Sequence, residues 1–246
     1  MAEPAEILAA IEAFLAPDDE ARPLAGRRAL VTSGPTYEAI DPVRFIGNRS
    51  SGRQGHAIAA ALAAAGAEVT LVTGPVREPD PKGVRVVHVE SAREMLAACE
   101  AALPVDVAVC AAAVADWRPA EAAERKLKKT EGAPPPEIAL TPNPDILRRL
   151  SRPGPERPAL VIGFAAETDD LLANAGRKLA AKGCDWILAN DVSAERGTFG
   201  SVSNRVHLLR AGAEPESWPE MDKAEVAARL ATRIAAELSG PPAEVA

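Results

Sequence analysis

Residues 55–74 read GHAIAAALAAAGAEVTLVTG. The alanine-rich run is a helix that Gly66 closes, since glycine accepts the left-handed conformation in which helices end, and EVTLVTG is a strand of β-branched and apolar residues. Upstream, RRALVTSG (27–34) is a second buried strand, so the segment is strand, helix, strand. Outward from it the alternation continues: VRVVHV (84–89), a helix over 91–103, then VDVAVCAAA (105–113). Further on come EIAL (137–140) as a short strand and TPNPDILRRL (141–150) as a helix start, with Asn143 as its cap and Pro144 in the first position. The strand ALVIGFAAET (159–168), the helix DDLLANAGRKLAAKG (169–183), the strand CDWILANDVS (184–193), a last strand SNRVHLLR (203–210) and a helix over 223–238 beginning at Asp222 complete the series. Such alternation predicts an α/β, Rossmann-like fold, with a mostly parallel sheet and helices on both faces. Alanine-rich helices suit close packing on it.

Two segments fall outside this pattern. Ile7, Leu8, Ile11, Phe14 and Leu15 have helical spacing and are followed by a linker, so residues 1–25 carry a short amphipathic helix without a partner of its own. From 114 to 136 periodicity gives way to a polar run containing ERKLKKTEGAPPP, which reads as a mobile loop.

A chain of 246 residues with 26% charged residues and a formal net charge of −7 has no bulk attraction for nucleic acid or anionic membranes. Any anionic ligand must be met by local cations. The absence of a long apolar run and of a leader pattern predicts a cytoplasmic protein. Cys99, Cys110 and Cys184 are scattered and suggest neither a disulfide framework nor a zinc site.

The obvious Rossmann assignments fail. Gly34 is followed by proline rather than by the remainder of GxGxxG, and the second strand ends in Thr73 and Gly74 where an acidic residue would hold a ribose. The only tyrosine, Tyr37, lacks the lysine four residues on that a short-chain dehydrogenase needs, which disfavours an NAD(P)-linked reductase. Neither a Walker A loop nor GxSxG occurs.

What stands out is the connection DPVRFIGNRSSGRQG (41–55) between the first strand and its helix. Connections of this kind commonly take about 2 to 6 residues. Ser50, Ser51 and Gly52 sit just before the helix, whose free N–H groups favour an anion. A serine cap would explain them without function; Gly52 and Gly55, which let a ligand approach the backbone, and the nearby Arg44, Asn48 and Arg49 favour a phosphate site. A second polar cluster, AAAVADWRPAEAAERKLKK, follows the fourth strand, and Asp116 lies just past that strand's carboxyl end, where open α/β sheets bind ligands. A turn cap would account for Asp116 alone, and a solvated charge run for Lys126, Lys128 and Lys129. Phe164 lies toward the carboxyl end of its strand, where its ring belongs to the core or flanks a base.

Taken in order, VTSGPTYEAIDPVRFIGNRSSGRQG, GAEVTLVTGPV, AAAVADWRP with KLKK, NPDIL, GFAAET, ANDVS with FGS, and SNRV resemble phosphopantothenoylcysteine synthetase over about 26–238. The resemblance implies a ligase domain over 26–239 and a tail over 240–246. Residues 1–25 would then be the end of a decarboxylase domain, and FMN would belong only to that domain. It also implies CTP, 4′-phosphopantothenate and L-cysteine as substrates, an acyl-cytidylate intermediate, Mg²⁺ and a homodimer. By the same resemblance Lys126 acts at the reacting phosphate from a mobile flap, Asn48 holds the acyl-cytidylate, and Arg44 binds phosphopantothenate. Gly34, Ser50, Ser51, Gly52, Ala113, Asp116, Trp117, Asn143, Asp145 and Phe164 bind the nucleotide, with Asp116 and Asp145 as metal candidates. The sequence departs from bacterial relatives at Gly47, Arg53 and Gln54, beside Asn48.

Overall fold

The structure is a computed structural model that describes residues 22–128, 136–167, 169–191, 203–204 and 206–239. The expected helix near the N-terminus and the tail at 240–246 lie outside the described residues, as does Lys129. In chain order the elements begin with β1 (Arg28–Ser33), β2 (Tyr37–Ala39), β3 (Phe45–Gly47), α1 (Arg53–Ala64), β4 (Glu68–Thr73) and β5 (Arg85–His88). Then come α2 (Ala92–Ala101), β6 (Val107–Cys110), β7 (Trp117–Pro119), β8 (Leu140–Pro142), α3 (Ile146–Leu150), β9 (Leu160–Glu167) and α4 (Leu171–Lys182). The series closes with β10 (Trp186–Asp191), β11 (Ser203–Asn204), β12 (Val206–Arg210), β13 (Glu216–Ser217), β14 (Met221–Asp222) and α5 (Lys223–Leu238).

Eight strands make one sheet in the order β13-β12-β10-β9-β6-β1-β4-β5. The strands from β5 across to β10 run parallel, while β12 and β13 close one edge antiparallel. Alternation along each strand divides the core in two. Ala29 and Val31 pack on one face with Ile58 and Leu62 of α1 and Val226, Leu230 and Ile234 of α5. Leu30 turns to the other face, against Met95 and Cys99 of α2, Ile146 and Leu147 of α3, and Leu179 of α4. The fold is therefore the α/β, mostly parallel, doubly covered sheet that the alternation predicts.

Several boundaries differ from the sequence reading. α5 starts at Asp222 as expected, through a capping box with Glu225, and α1 stops at Ala65 with Gly66 in the left-handed region. The cap of α3, however, is Asp145, whose carboxylate accepts from Arg148 N at 3.0 Å, and not Asn143. Asn143 precedes a proline, which disfavours helical backbone, and its amide is used elsewhere. EIAL gives way to β8, paired with β7 inside the segment expected to be loop. SNRVHLLR divides: β11 pairs with β14, and only β12 joins the main sheet.

Strand order positions the site. After β1 the chain moves to one side of it for β4 and β5, then returns to the other side for β6. The carboxyl ends of β1 and β6 thus form the crevice where chain direction across the sheet reverses.

Candidate active site

The long connection after β1 is built rather than loose. β2 and β3 pair as a hairpin, with Tyr37 stacked on Phe45 at 3.9 Å. Glu38, buried, accepts from Ala92 N at 2.9 Å at the start of α2, where a carboxylate also meets the favourable end of the helix dipole. That bond pins the hairpin to the sheet's second layer. The chain then enters α1 through Gly52, which caps it in the left-handed region (φ 77°) without a side-chain cap bond. A Cβ there would stand 2.7 Å from Val76 Cγ1, so the turn needs glycine twice over. Ser50 Oγ accepts from Gly52 N at 3.3 Å and Ser51 Oγ from Arg53 N at 3.5 Å, so neither serine is the cap. From behind, Ser33 Oγ donates to Gly52 O at 2.8 Å and His56 Nδ1 lies 3.1 Å from the same oxygen.

Asn48 reaches across the crevice. Its Nδ2 donates to Val114 O at 2.9 Å, just beyond β6. Ala113 N donates to Gly34 O at 2.8 Å, which brings Gly34, Asn48 and Ala113 together at the ends of β1 and β6. Arg44 is paired with the buried Asp41 and donates to Leu127 O at 2.9 Å, so the exposed Lys126 is anchored beside Arg44 by its neighbour's backbone.

On the far side of β6 a cavity of about 280 Å³ is lined by Asp116, Asn143, Asp145, Phe164, Lys178 and Lys182, with Thr32 and Cys110 in its wall. Asn143 shapes it: its backbone N donates to Asp116 O and its Nδ2 to Ala115 O, both at 2.8 Å. Lys182 Nζ lies 2.5 Å from Asp145 Oδ2, and Lys178 Nζ donates to Phe164 O at 2.7 Å. Burial pushes the Asp145 carboxyl up, but the Lys182 ammonium and the Arg148 N–H outweigh it and hold the group below the usual aspartate range. Burial likewise raises the Cys110 thiol, which suits an inert wall rather than a nucleophile. A wider groove of about 460 Å³ beside α2 shares only Asn143 with the predicted site residues.

Asp116, Asn143, Asp145 and Phe164 are thus brought together around the cavity. Gly34, Asn48 and Ala113 meet at the neighbouring crevice, which the Ser50–Gly52 turn approaches from α1. Trp117 is not in the cavity wall; it sits on β7 and is 56% exposed. Lys178 and Lys182 are cavity residues that the sequence reading did not mark. Their signal was available: two lysines four apart share one face of the helix that follows the Phe164 strand. Among the described residues no three His, Cys, Asp or Glu side chains converge on a metal position. Asp145 has both carboxylate oxygens engaged, by Arg148 N and Lys182, so Asp116 is the better fitted of the two candidates to hold a cation through one oxygen.

Residues 24–238 match the family described as DNA/pantothenate metabolism flavoprotein C-terminal domain. The chain belongs to this family. Among curated relatives, the coenzyme A biosynthesis bifunctional protein CoaBC of Vibrio vulnificus is 45% identical over 225 residues, covering 91% of this chain and 53% of the relative. The CoaBC protein of Mycobacterium tuberculosis is also 45% identical, over 88% of this chain and 54% of its own length. The chain therefore spans about half the length of these curated relatives. Its fold is similar to the crystal structure of the C-terminal domain of a CoaBC protein, with a TM-score of 0.74 at 38% identity over 89% of this chain and all of that one. No helix among the described residues is long and apolar enough to cross a membrane.

Proposed function

We propose that this domain joins 4′-phosphopantothenate to L-cysteine with consumption of CTP. Membership of the family and likeness to CoaBC proteins of coenzyme A biosynthesis support a role in that synthesis. The observation that carries the chemistry is the pairing, across the ends of β1 and β6, of the glycine-capped mouth of α1 and Asn48 on one side with the lysine-bearing cavity on the other. A nucleotide in the cavity would set its base near Phe164 and its phosphates near Lys178, Lys182, Asp116 and Asn143. Gly34, Ala113 and the Ser50–Gly52 turn would border the reacting end.

In the first step a carboxylate oxygen of phosphopantothenate attacks the α-phosphorus of CTP; the bond to pyrophosphate breaks and an acyl-cytidylate forms. Two anions must approach in a protein of net charge −7, so the local cations Lys126, Arg44, Lys178 and Lys182 compensate the charge as it develops. Arg44 meets the substrate anion and Asn48 holds the mixed anhydride. In the second step the cysteine amine attacks the acyl carbon, CMP leaves, and the amine proton passes to solvent. Mg²⁺, which would supply charge neutralisation on phosphate oxygens, fits a site with Asp116 as its protein carboxylate. Asp145 keeps Lys182 in place. The exposed apolar residues Val43, Phe45, Trp117 and Leu140 on the two hairpins support a homodimer.

The test is incubation with phosphopantothenate, cysteine, MgCl₂ and CTP, with CMP and pyrophosphate quantified. Both products are expected, CTP is expected to outperform ATP, and omission of cysteine should leave bound acyl-cytidylate. Release of neither product from the complete mixture refutes the proposal.

A further inference from the structure

Asp41 carries no role in the chemistry above, yet it is only 3% exposed and its side chain is wholly enclosed. A buried carboxylate persists only where its oxygens are satisfied. Oδ1 accepts from Val43 N at 2.8 Å and Arg44 N at 2.9 Å, the local turn an Asp-Pro sequence makes. Oδ2 accepts from Arg44 Nε at 3.0 Å, from Arg44 Nη2, and from Leu127 N at 3.1 Å. Arg44 Nη2 in turn donates to Leu127 O at 2.9 Å. Both backbone groups of Leu127 are therefore held by one ion pair from a distant loop. A second tie lies close by, where Ala123 N donates to Ile40 O at 2.9 Å. A turn former needs only the first two bonds; the grip on Leu127 requires another explanation.

We propose that Asp41 is a positioning residue that, through Leu127, fixes the backbone from which Lys126 reaches the reacting phosphate. The role rests on the function proposed above for Lys126. The Arg44 guanidinium, aided by three backbone N–H groups, outweighs burial and holds the Asp41 carboxyl well below the usual aspartate range. The carboxylate thus stays ionised around neutral pH, so the pair serves as a clamp and not as a titrating switch.

The experiment uses the full chain. Hydrogen exchange in the wild type is expected to show the Leu127 amide slowed about tenfold or more relative to a free peptide. Asp41→Asn puts an amide donor where Leu127 N–H and Arg44 also donate, and should abolish that protection. In the same variant kcat for CMP formation should fall about tenfold or more while KM for CTP stays within about twofold, because misplaced catalytic groups cost rate before binding. Leu127→Pro removes the same N–H while sparing the Asp41 turn. It should reproduce the split between kcat and KM, and adding Asp41→Asn to it should cost less than about a further twofold. Free-peptide exchange of Leu127 in the wild type, or wild-type kcat in a folded Asp41→Asn protein, overturns the proposal. If Asp41→Asn does not fold, wild-type exchange and Leu127→Pro decide. Loss of Leu127 protection is read without turnover, so a failure of the ligase assignment is distinguishable from a failure of the clamp.

Discussion

Replacing Asn48 separates a hydrogen-bonding role from a charge role. In Asn48→Ala the Nδ2 donor, which reaches Val114 O at 2.9 Å in the free protein, is no longer offered to the intermediate, at a cost of about 1 kcal/mol or about fivefold in its retention. In Asn48→Asp the same donor is lost and a negative charge is placed beside an anionic ligand. At about 5 Å with an effective dielectric of about 20, that repulsion is about 3 kcal/mol. Asn48 is exposed, so water screens about half of it and about 1.5 kcal/mol remains. The aspartate variant should therefore lose about 2.5 kcal/mol in all, or about 60-fold. The assay is rapid quench without cysteine, measuring trapped acyl-cytidylate, alongside thermal melts to show that the exposed site leaves the fold intact. Equal losses in the two variants, or an unchanged yield in both, would refute the assignment of Asn48 to the anionic intermediate.

Lys126→Ala should lower acyl-cytidylate formation by about 100-fold with an unchanged melting temperature, since Lys126 is exposed; calorimetry and single-turnover kinetics check both halves. Lys182→Ala frees Asp145, whose lowered pKa contributes stability that is present above an aspartate's ordinary 3.8 and lost as pH falls through the lowered value. The pair is about one-third exposed, so the variant should lose under about 1 kcal/mol at neutral pH, a gap that closes on acidification; urea midpoints across pH measure it. CTP binding to Lys182→Ala, by calorimetry, should weaken about tenfold or more through the loss of a cavity cation. Gly52→Ala forces a Cβ into left-handed backbone and 2.7 Å from Val76; we expect about 1–2 kcal/mol of destabilisation by denaturant titration and weaker CTP binding.

Local features were legible wherever chemistry and sequence neighbourhood coincide. Gly66 ends α1 because a residue after a helix often needs positive φ, and Asp222 starts α5 because its carboxylate caps an N–H three residues on. The same local logic misassigned Asn143. As a sequence motif it resembles a helix cap, but its amide is captured by Ala115 O, 28 residues away in the chain. Lys178 and Lys182 escaped notice because their helix pattern is equally that of a solvated face. What turns them inward is β9 carrying Phe164 to the crevice and Asp145 arriving from α3 to pair with one of them.

The order of residues alone determined the alternation of strand and helix, the two apolar faces of the sheet, and the polar loop before α1, because periodicity and turn chemistry act over a few residues. Only the tertiary structure decided that β6 lies beside β1, that Asn48 closes on Val114, and that Asp41 grips Leu127. Those contacts join segments tens of residues apart, and their energies exist only once the sheet has brought the segments together.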